Sequence, residues 1–459
     1  MIQEDVDNKI ITFGCRLNTY ESEAIKEALK KTDQKNLLVF NSCAVTAEAE
    51  RELRAAIRRA KRDNPDIKIV VTGCAAQIDP EKYAKMAEVN LVLGNSEKSN
   101  PESYSLQQQS SSFDSVRLRG FHESSSKDDT AHKDRIFFEA KKSAQIFLTS
   151  SETSKIKVND IMSVKDTAPQ LVSYFENRTR AFLEIQNGCN HRCTFCVIPF
   201  GRGNSRSVAF GEIVSQIKKM VAAGHKEVVL TGVDISGYGE DLAVPITLSG
   251  MIKRLLKLVP ELSRLRLSSI DVAEIDEEFF EILRDEPRFT PYLHLSVQSG
   301  DDVILKRMKR RHNRQQVLDF CAKAREIRPE ITFGADIIAG FPTETEEMFQ
   351  NSVQLIEEAG IIFTHIFPYS KRDGTPAAKM PQVNGKIIKE RGKILREAGA
   401  RELQKFLAKQ IGKNLSVILE KDGFGKSENF LDVKLARGKS GDVILTKAVA
   451  VENNYLIGE

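Results

Sequence analysis

Short, continuous apolar runs recur through the first hundred positions: Ile10-Ile11-Thr12-Phe13, Leu37-Leu38-Val39-Phe40, Ile69-Val70-Val71-Thr72 and Leu91-Val92-Leu93, with helical periodicity between them. Strands apolar on both sides, alternating with helices, predict a parallel sheet covered on both faces: a doubly wound α/β domain ending near Gly94. From Ser99 to about Ser154 the pattern dissolves into serine- and glutamine-rich sequence such as Gln107-Gln108-Gln109 and Ser124-Ser125-Ser126. That composition buries too little apolar surface to offset chain entropy, and predicts a linker or insertion, with one helical stretch at Ile136 to Leu148.

A second strand-helix series starts at Arg180, with strands expected at Ala181 to Ile185, Val228 to Leu230, Leu265 to Ser269, Leu293 to Val297, Thr332 to Ile338 and Phe363 to Phe367. Six units predict an open, partial (β/α)6 barrel, whose sites belong at the strand C-terminal ends. Beyond a charged helix through Lys389 to Ala408, short strand patterns broken by Gly423, Gly425, Gly438 and Gly441 predict a small antiparallel β-barrel. The expected domains are 1–98, a linker or insertion over 99–170, 171–400 and 401–459.

Composition narrows the class. A chain of 459 residues with 41% hydrophobic content exceeds one core. No apolar run approaches bilayer length, and Met1 to Asn8 are acidic where a secretory leader is basic and apolar, so a cytoplasmic monomer without a membrane partner is expected. A net charge of +4 neither requires nor excludes a polyanion. Seven widely spread cysteines are too few for a disulfide framework, and a reducing cytosol keeps them as thiols or metal ligands.

Three of them form Cys189-Asn190-His191-Arg192-Cys193-Thr194-Phe195-Cys196, directly after the first barrel strand. One loop with these gaps can wrap three thiolates around a cubane and leave its fourth iron open. The alternative is a zinc knuckle, which needs a fourth ligand such as His191. Cys15, Cys43 and Cys74 each follow a separate strand of the first domain by one or two residues. Neighbouring strand ends can bring them together as a second three-ligand site, whereas singly each reads as a core cysteine. Cys321, spaced helically with Val317, Phe320 and Ala324, reads as core.

The barrel strand ends carry glycines and hydrogen-bonding groups suited to a nucleoside cofactor: Gly232 after the second strand, Ser296 and Gln298 after the fourth, and Asp336, Ile338 and Gly340 on the fifth. Basic residues cluster twice. Arg51, Arg54, Arg58 and Arg62 share a helical face, and Lys306 to Arg328 carries nine basic residues against two acidic. Either cluster is a footprint for a phosphate backbone or a solvated helix face.

With these residues in place, the chain resembles the radical S-adenosylmethionine methylthiotransferases over nearly its full length. Gly14-Cys15-Arg16-Leu17-Asn18-Thr19-Tyr20-Glu21-Ser22-Glu23, Leu230-Thr231-Gly232-Val233-Asp234 and Ser268-Ser269-Ile270-Asp271 are similar to the branch acting on N6-threonylcarbamoyladenosine beside the tRNA anticodon. The resemblance implies two 4Fe-4S clusters, S-adenosylmethionine contacts that include Phe195, a terminal RNA-binding barrel of the TRAM type, and tRNA and an electron-donor protein as partners. The cluster on Cys189, Cys193 and Cys196 would reduce S-adenosylmethionine to a 5′-deoxyadenosyl radical. The one on Cys15, Cys43 and Cys74 would hold the inserted sulfur, and no residue beyond the cluster ligands is implied as catalytic. A related branch modifies a ribosomal-protein aspartate, and a non-catalytic iron-sulfur protein that binds RNA or carries electrons is the alternative from another class. The serine-rich insertion is longer than the family pattern implies.

Overall fold

The computed structural model describes residues 8–106, 155–165 and 179–459. The expected helix at Ile136 to Leu148 and most of the serine-rich stretch lie outside the described residues. No described helix is long and apolar enough to cross a membrane.

The first domain is a five-stranded parallel sheet in sequential order: Lys9–Thr12, Leu37–Ser42, Lys68–Gly73, Leu91–Leu93 and Ile156–Lys157. Both faces are covered, as the continuous apolar runs require. Helix Arg16–Leu29 buries Ile25, Ala28 and Leu29 with Val39 and Val70 on one side. Helix Ala47–Asp63 buries Leu53 and Ile57 with Phe40 and Val71 on the other. The fifth strand comes from the stretch expected to be linker. Ile156–Lys157 pairs with Leu91–Leu93, with Val92 N donating to Lys155 O at 2.7 Å and Gly94 N to Lys157 O at 2.9 Å. Two residues carry too little pattern to signal a strand; the neighbouring strand edge supplies the hydrogen bonds that make it one.

The second domain is an open array of six parallel strands. Arg180–Glu184, Glu227–Thr231 and Arg264–Leu267 form one sheet. The third strand breaks at Ser268 and resumes as Ser269–Ile270, which continues the array through Tyr292–Gln298, Thr332–Ala339 and Ile361–Pro368. A single large core lies between these strands and their helices, and Cys321 is buried in it. Helix Gly385–Ala408, capped by Asn384, packs against the last strand and leads to the third domain. There five strands, Asn414–Lys421, Phe424–Ser427, Asp432–Lys434, Val443–Glu452 and Tyr455–Gly458, close a barrel that is antiparallel except where Asp432–Lys434 meets Tyr455–Gly458.

Candidate active site

Successive strands of a parallel sheet end side by side, and the first triad follows from that. Cys15 occupies the N-cap of helix Arg16–Leu29 without making a side-chain cap bond, and its thiol donates instead to Asn18 Oδ1 at 3.8 Å. Cys43 follows Leu37–Ser42, and Cys74 opens the short helix Cys74–Ile78. Gly14, at φ +99°, lets the strands approach: a Cβ there would lie 2.7 Å from Cys43 Cβ and 2.9 Å from its Sγ. The three thiols feel one another's charge. Burial and the Cys74 charge push the Cys43 thiol up to about 12.

The second triad is held locally. The loop from Cys189 is pinned at both ends, with Cys189 N donating to Gly203 O at 3.1 Å and Thr194 N to Met308 O at 3.1 Å. Cys196 N closes onto Cys193 O at 3.1 Å, and His191 N points at Cys189 Sγ at 3.3 Å. Burial pushes the Cys189 and Cys196 thiols up, the latter to about 12. Thiols held this way ionise when a cation binds. His191 Nε2 lies 2.8 Å from Asp234 and 3.4 Å from Glu274, contacts that raise its pKa to about 10, and Cys189, His191 and Asp234 lie close enough together to offer a metal ion a mixed donor set. Three sulfurs on one loop suit a cubane with one open iron.

The triads adjoin. Helix Cys74–Ile78 packs on helix Ile198–Arg202, a Cβ at Gly201 would sit 3.2 Å from Cys74 Cβ, and the Cys74 charge reaches Cys196. The junction is sealed by a residue that sequence periodicity does not reveal. Arg202, only 2% exposed, donates to Glu21 Oε1 and Oε2 at 2.7 and 2.9 Å and to Asn18 Oδ1 at 2.6 Å. Lys98 adds a second buried cation 2.7 Å from Glu21. Burial would raise the Glu21 carboxyl, but Arg202 and Lys98 bring it down to about 2. Nearby Glu184 goes the other way: burial and the Glu21 charge push it up to about 7. The loop triad has its own arginine. Arg310 lies 3.8 Å from Cys193 Sγ and donates to Asp271 at 2.8 Å and Ser296 O at 2.9 Å.

The other residues singled out by sequence fall in three places. Phe195 and Ile338 pack with Met308 and Phe341 under the loop. Gly232 allows close packing, since a Cβ there would lie 2.5 Å from Gln186 O, and Gln186 Oε1 accepts from Val233 N and Asp234 N. Gly340, at φ +72°, does the same against Ile388. Ser296 and Gln298 are half-buried at the end of their strand, Gln298 at φ +69°. Asp336 accepts from His294 at 3.0 Å and lies 3.4 Å from His365; burial opposes its charge, but the two imidazoles hold it ionised well below the usual range.

The basic clusters divide. On helix Ala47–Asp63, capped by Thr46, Arg51 and Arg58 are largely exposed, beside Glu48 at 2.5 Å and Glu88 at 4.0 Å. Arg54 is more buried, 3.8 Å from Glu50, a carboxylate that also takes Lys82 and Arg372 at 2.5 and 2.6 Å. Within Lys306 to Arg328, Arg307, Arg310, Arg311, Arg314, Lys323, Arg325 and Arg328 all bond to other elements, so most of that cluster is internal scaffolding.

Comparison with known proteins gives the family. Residues 183–356 match the radical SAM superfamily and residues 8–94 an uncharacterized protein family, UPF0004. The chain is 49% identical over 99% of its length, and 98% of the relative's, to the threonylcarbamoyladenosine tRNA methylthiotransferase MtaB of Rickettsia prowazekii. It is 35% identical to the protein of that name from Aquifex aeolicus, over 92% of this chain and 95% of the other. It is also 31% identical to the tRNA-2-methylthio-N(6)-dimethylallyladenosine synthase of Roseobacter denitrificans, over 97% of each chain.

Proposed function

From the premise that the chain belongs to the radical SAM tRNA methylthiotransferases, enzymes that use S-adenosylmethionine and two 4Fe-4S clusters, we propose that it methylthiolates C2 of N6-threonylcarbamoyladenosine beside the tRNA anticodon. The observation that carries this reading is the junction of two three-thiol sites, Cys15/Cys43/Cys74 and Cys189/Cys193/Cys196, around Cys74 and Cys196.

Adenine C2 bears a non-acidic hydrogen, beyond acid-base chemistry; when bound, the cofactors would supply the radical that removes it, the sulfur that takes its place and, from a second S-adenosylmethionine, the methyl group on that sulfur. The protein contributes placement. Cys189, Cys193 and Cys196 would hold one cluster at the barrel mouth, where Phe195, Gly232, Ser296, Gln298, Asp336, Ile338 and Gly340 would shape the S-adenosylmethionine side. Cys15, Cys43 and Cys74 would hold the other, and the Arg202–Glu21 pair joins the two domains that carry the triads. Arg51 and Arg58, exposed on one helix face, bring phosphate toward the enzyme, Arg54 of the same face holds the Glu50 hub in place, and an electron-donor protein supplies the electrons. The enzyme acts as a cytoplasmic monomer.

Mass spectrometry of tRNA nucleosides from a strain lacking this protein, and from that strain complemented, tests the proposal. The methylthio form of threonylcarbamoyladenosine should disappear and return with the gene. Unchanged tRNA rejects the substrate and moves the search to a ribosomal-protein aspartate.

A further inference from the structure

The residue next to Cys15 is an arginine whose charge no acidic group among the described residues answers. Arg16 leans from the first domain over Phe430 of the terminal barrel, 5.9 Å from guanidinium to ring centre, and its hydrogen-bonding contact is the Tyr292 hydroxyl. Among the described residues it makes no ion pair. The carboxylates around it are spent on other arginines: Glu227 on Arg266 at 2.6 Å, with Arg180 and Arg264 each at 3.9 Å, Glu420 on Arg180, and Glu428 on Arg264 at 4.0 Å. Even so, Arg180 Nε, Arg264 Nη1 and Arg266 Nη1 remain buried without an acceptor. Arg180 and Arg266 also crowd the Phe430 ring, at 5.1 and 4.9 Å. Donors exceed acceptors here, and a cation withdrawn from water without a counter-charge is costly unless a ligand brings one.

From Arg16 a file of polar groups runs up the barrel interior. Tyr292 Oη lies 2.9 Å from His294 Nδ1, His294 Nε2 is 3.0 Å from Asp336, and His365 is 3.4 Å from the same carboxylate. Gly334 makes room for it, since a Cβ there would come within 2.7 Å of the Tyr292 hydroxyl. If Arg16 donates to Tyr292, the tyrosine donates to His294 and His294 to Asp336, each donor of the file meets an acceptor and the Arg16 guanidinium keeps N–H groups to spare. Such a lining suits a substituent rich in carboxylate, hydroxyl and amide, and an apolar one poorly.

We propose that Arg16 is the specificity residue that pairs with the amino-acid carboxylate carried on N6 of the target adenosine. This rests on the substrate proposed above. N6 and C2 flank N1 on one edge of adenine, so a group that holds the N6 substituent must lie beside the thiolates that present sulfur to C2. Arg16 shares a peptide bond with Cys15, and a guanidinium fork matches a carboxylate in two-point geometry.

The test uses cluster-loaded protein and two otherwise identical tRNAs, with and without the threonylcarbamoyl group. Wild type should prefer the modified tRNA by about tenfold to a hundredfold, the range of a charge-assisted pair. Arg16→Met should bind both alike, at the wild-type affinity for unmodified tRNA, and Arg16→Lys should recover part of the preference. Conversion of the substrate carboxylate to its amide should cost the wild-type protein the same factor, a readout that does not depend on a variant folding. Retained preference in Arg16→Met overturns the inference, as does equal weakening toward both tRNAs, which is the signature of a phosphate contact. Wild type that forms no methylthio product on modified tRNA overturns the substrate proposal instead.

Discussion

The two cysteine triads answer one ligand requirement in opposite ways. Cys189, Cys193 and Cys196 lie within eight residues of one loop, and the backbone around them, pinned to Gly203 and Met308, fixes their spacing before any other domain is involved. Cys15, Cys43 and Cys74 span sixty positions and meet only because three strands finish together. The contrast extends to the arginine beside each. Arg310 comes from the same barrel as its triad and is balanced there by Asp271. Arg202 comes from the barrel but is balanced by Glu21 of the first domain. The local site is therefore complete within one domain, whereas the dispersed site is complete only when two domains are docked.

The largest effect should separate the triads by chemical step. Cys193→Ala should reduce S-adenosylmethionine cleavage to background, measured as 5′-deoxyadenosine. Cys43→Ala should keep cleavage and yield no methylthio product, measured on digested tRNA. Equal retention of product by both variants would break the two-site scheme.

Next in size is the docking contrast. Arg202→Met leaves Glu21 buried with Lys98 as its remaining cation, and should cost on the order of 3 kcal/mol in denaturant unfolding. Iron should be lost from the first-domain triad while the loop triad keeps its share, as read by iron content and cluster spectra. Arg310→Met should show the reverse preference. Parallel loss of iron from both triads in both variants would mean that the two sites are not independent.

A smaller effect sharpens the same junction through pH. Glu184 has its carboxyl raised to about 7, so between its unfolded value near 4.5 and pH 7 the folded state holds a proton that the unfolded state has released. Its contribution to stability is present at low pH and is lost as pH rises through 7. Glu184→Gln should remove that slope and make the variant more stable than wild type by about 3 kcal/mol at pH 8, with little difference at pH 4.5. Urea unfolding of both proteins at the two pH values measures it, and parallel pH profiles would reject a protonated Glu184.

The same contrast governs how much of the molecule was legible from its sequence. The loop triad is written in adjacent letters, and the alternating apolar runs fix the parallel sheet, the six-stranded barrel and the place of each first-domain cysteine at a strand end. What escapes is whatever depends on a distant partner. Ile156–Lys157 becomes a strand only because Leu91–Leu93 offers an open edge. Arg202 sits in a glycine-flanked segment with no periodicity, and its meaning comes from Glu21, 181 positions away. The basic stretch Lys306 to Arg328 looks like a nucleic-acid footprint because its acidic partners, Asp271, Glu274, Glu277, Glu330 and Glu358, lie outside it.

That lesson sets the last and smallest effect, on the helix that follows Cys43. Arg51, Arg54 and Arg58 share one face, but their surroundings differ. Arg51 and Arg58 have side chains 71% and 63% exposed, whereas Arg54 is 30% exposed and serves the Glu50 hub that ties this helix to Arg372 of the barrel. Exposed charges that touch phosphate release counterions and set the salt slope of binding, while a charge engaged by protein does neither. Arg58→Glu, and Arg51→Glu likewise, should weaken tRNA binding a few-fold and lower the log-log salt slope by about one unit for each phosphate no longer neutralised. Arg54→Glu should instead cost about 1 kcal/mol of folding stability, as like charge meets Glu50, with the salt slope nearly unchanged. Affinity measured from low to moderate salt, beside a thermal melt of each variant, decides the division. A flattened slope in Arg54→Glu with no change in Arg58→Glu would place the phosphate track on the buried side of the helix and reverse the assignment.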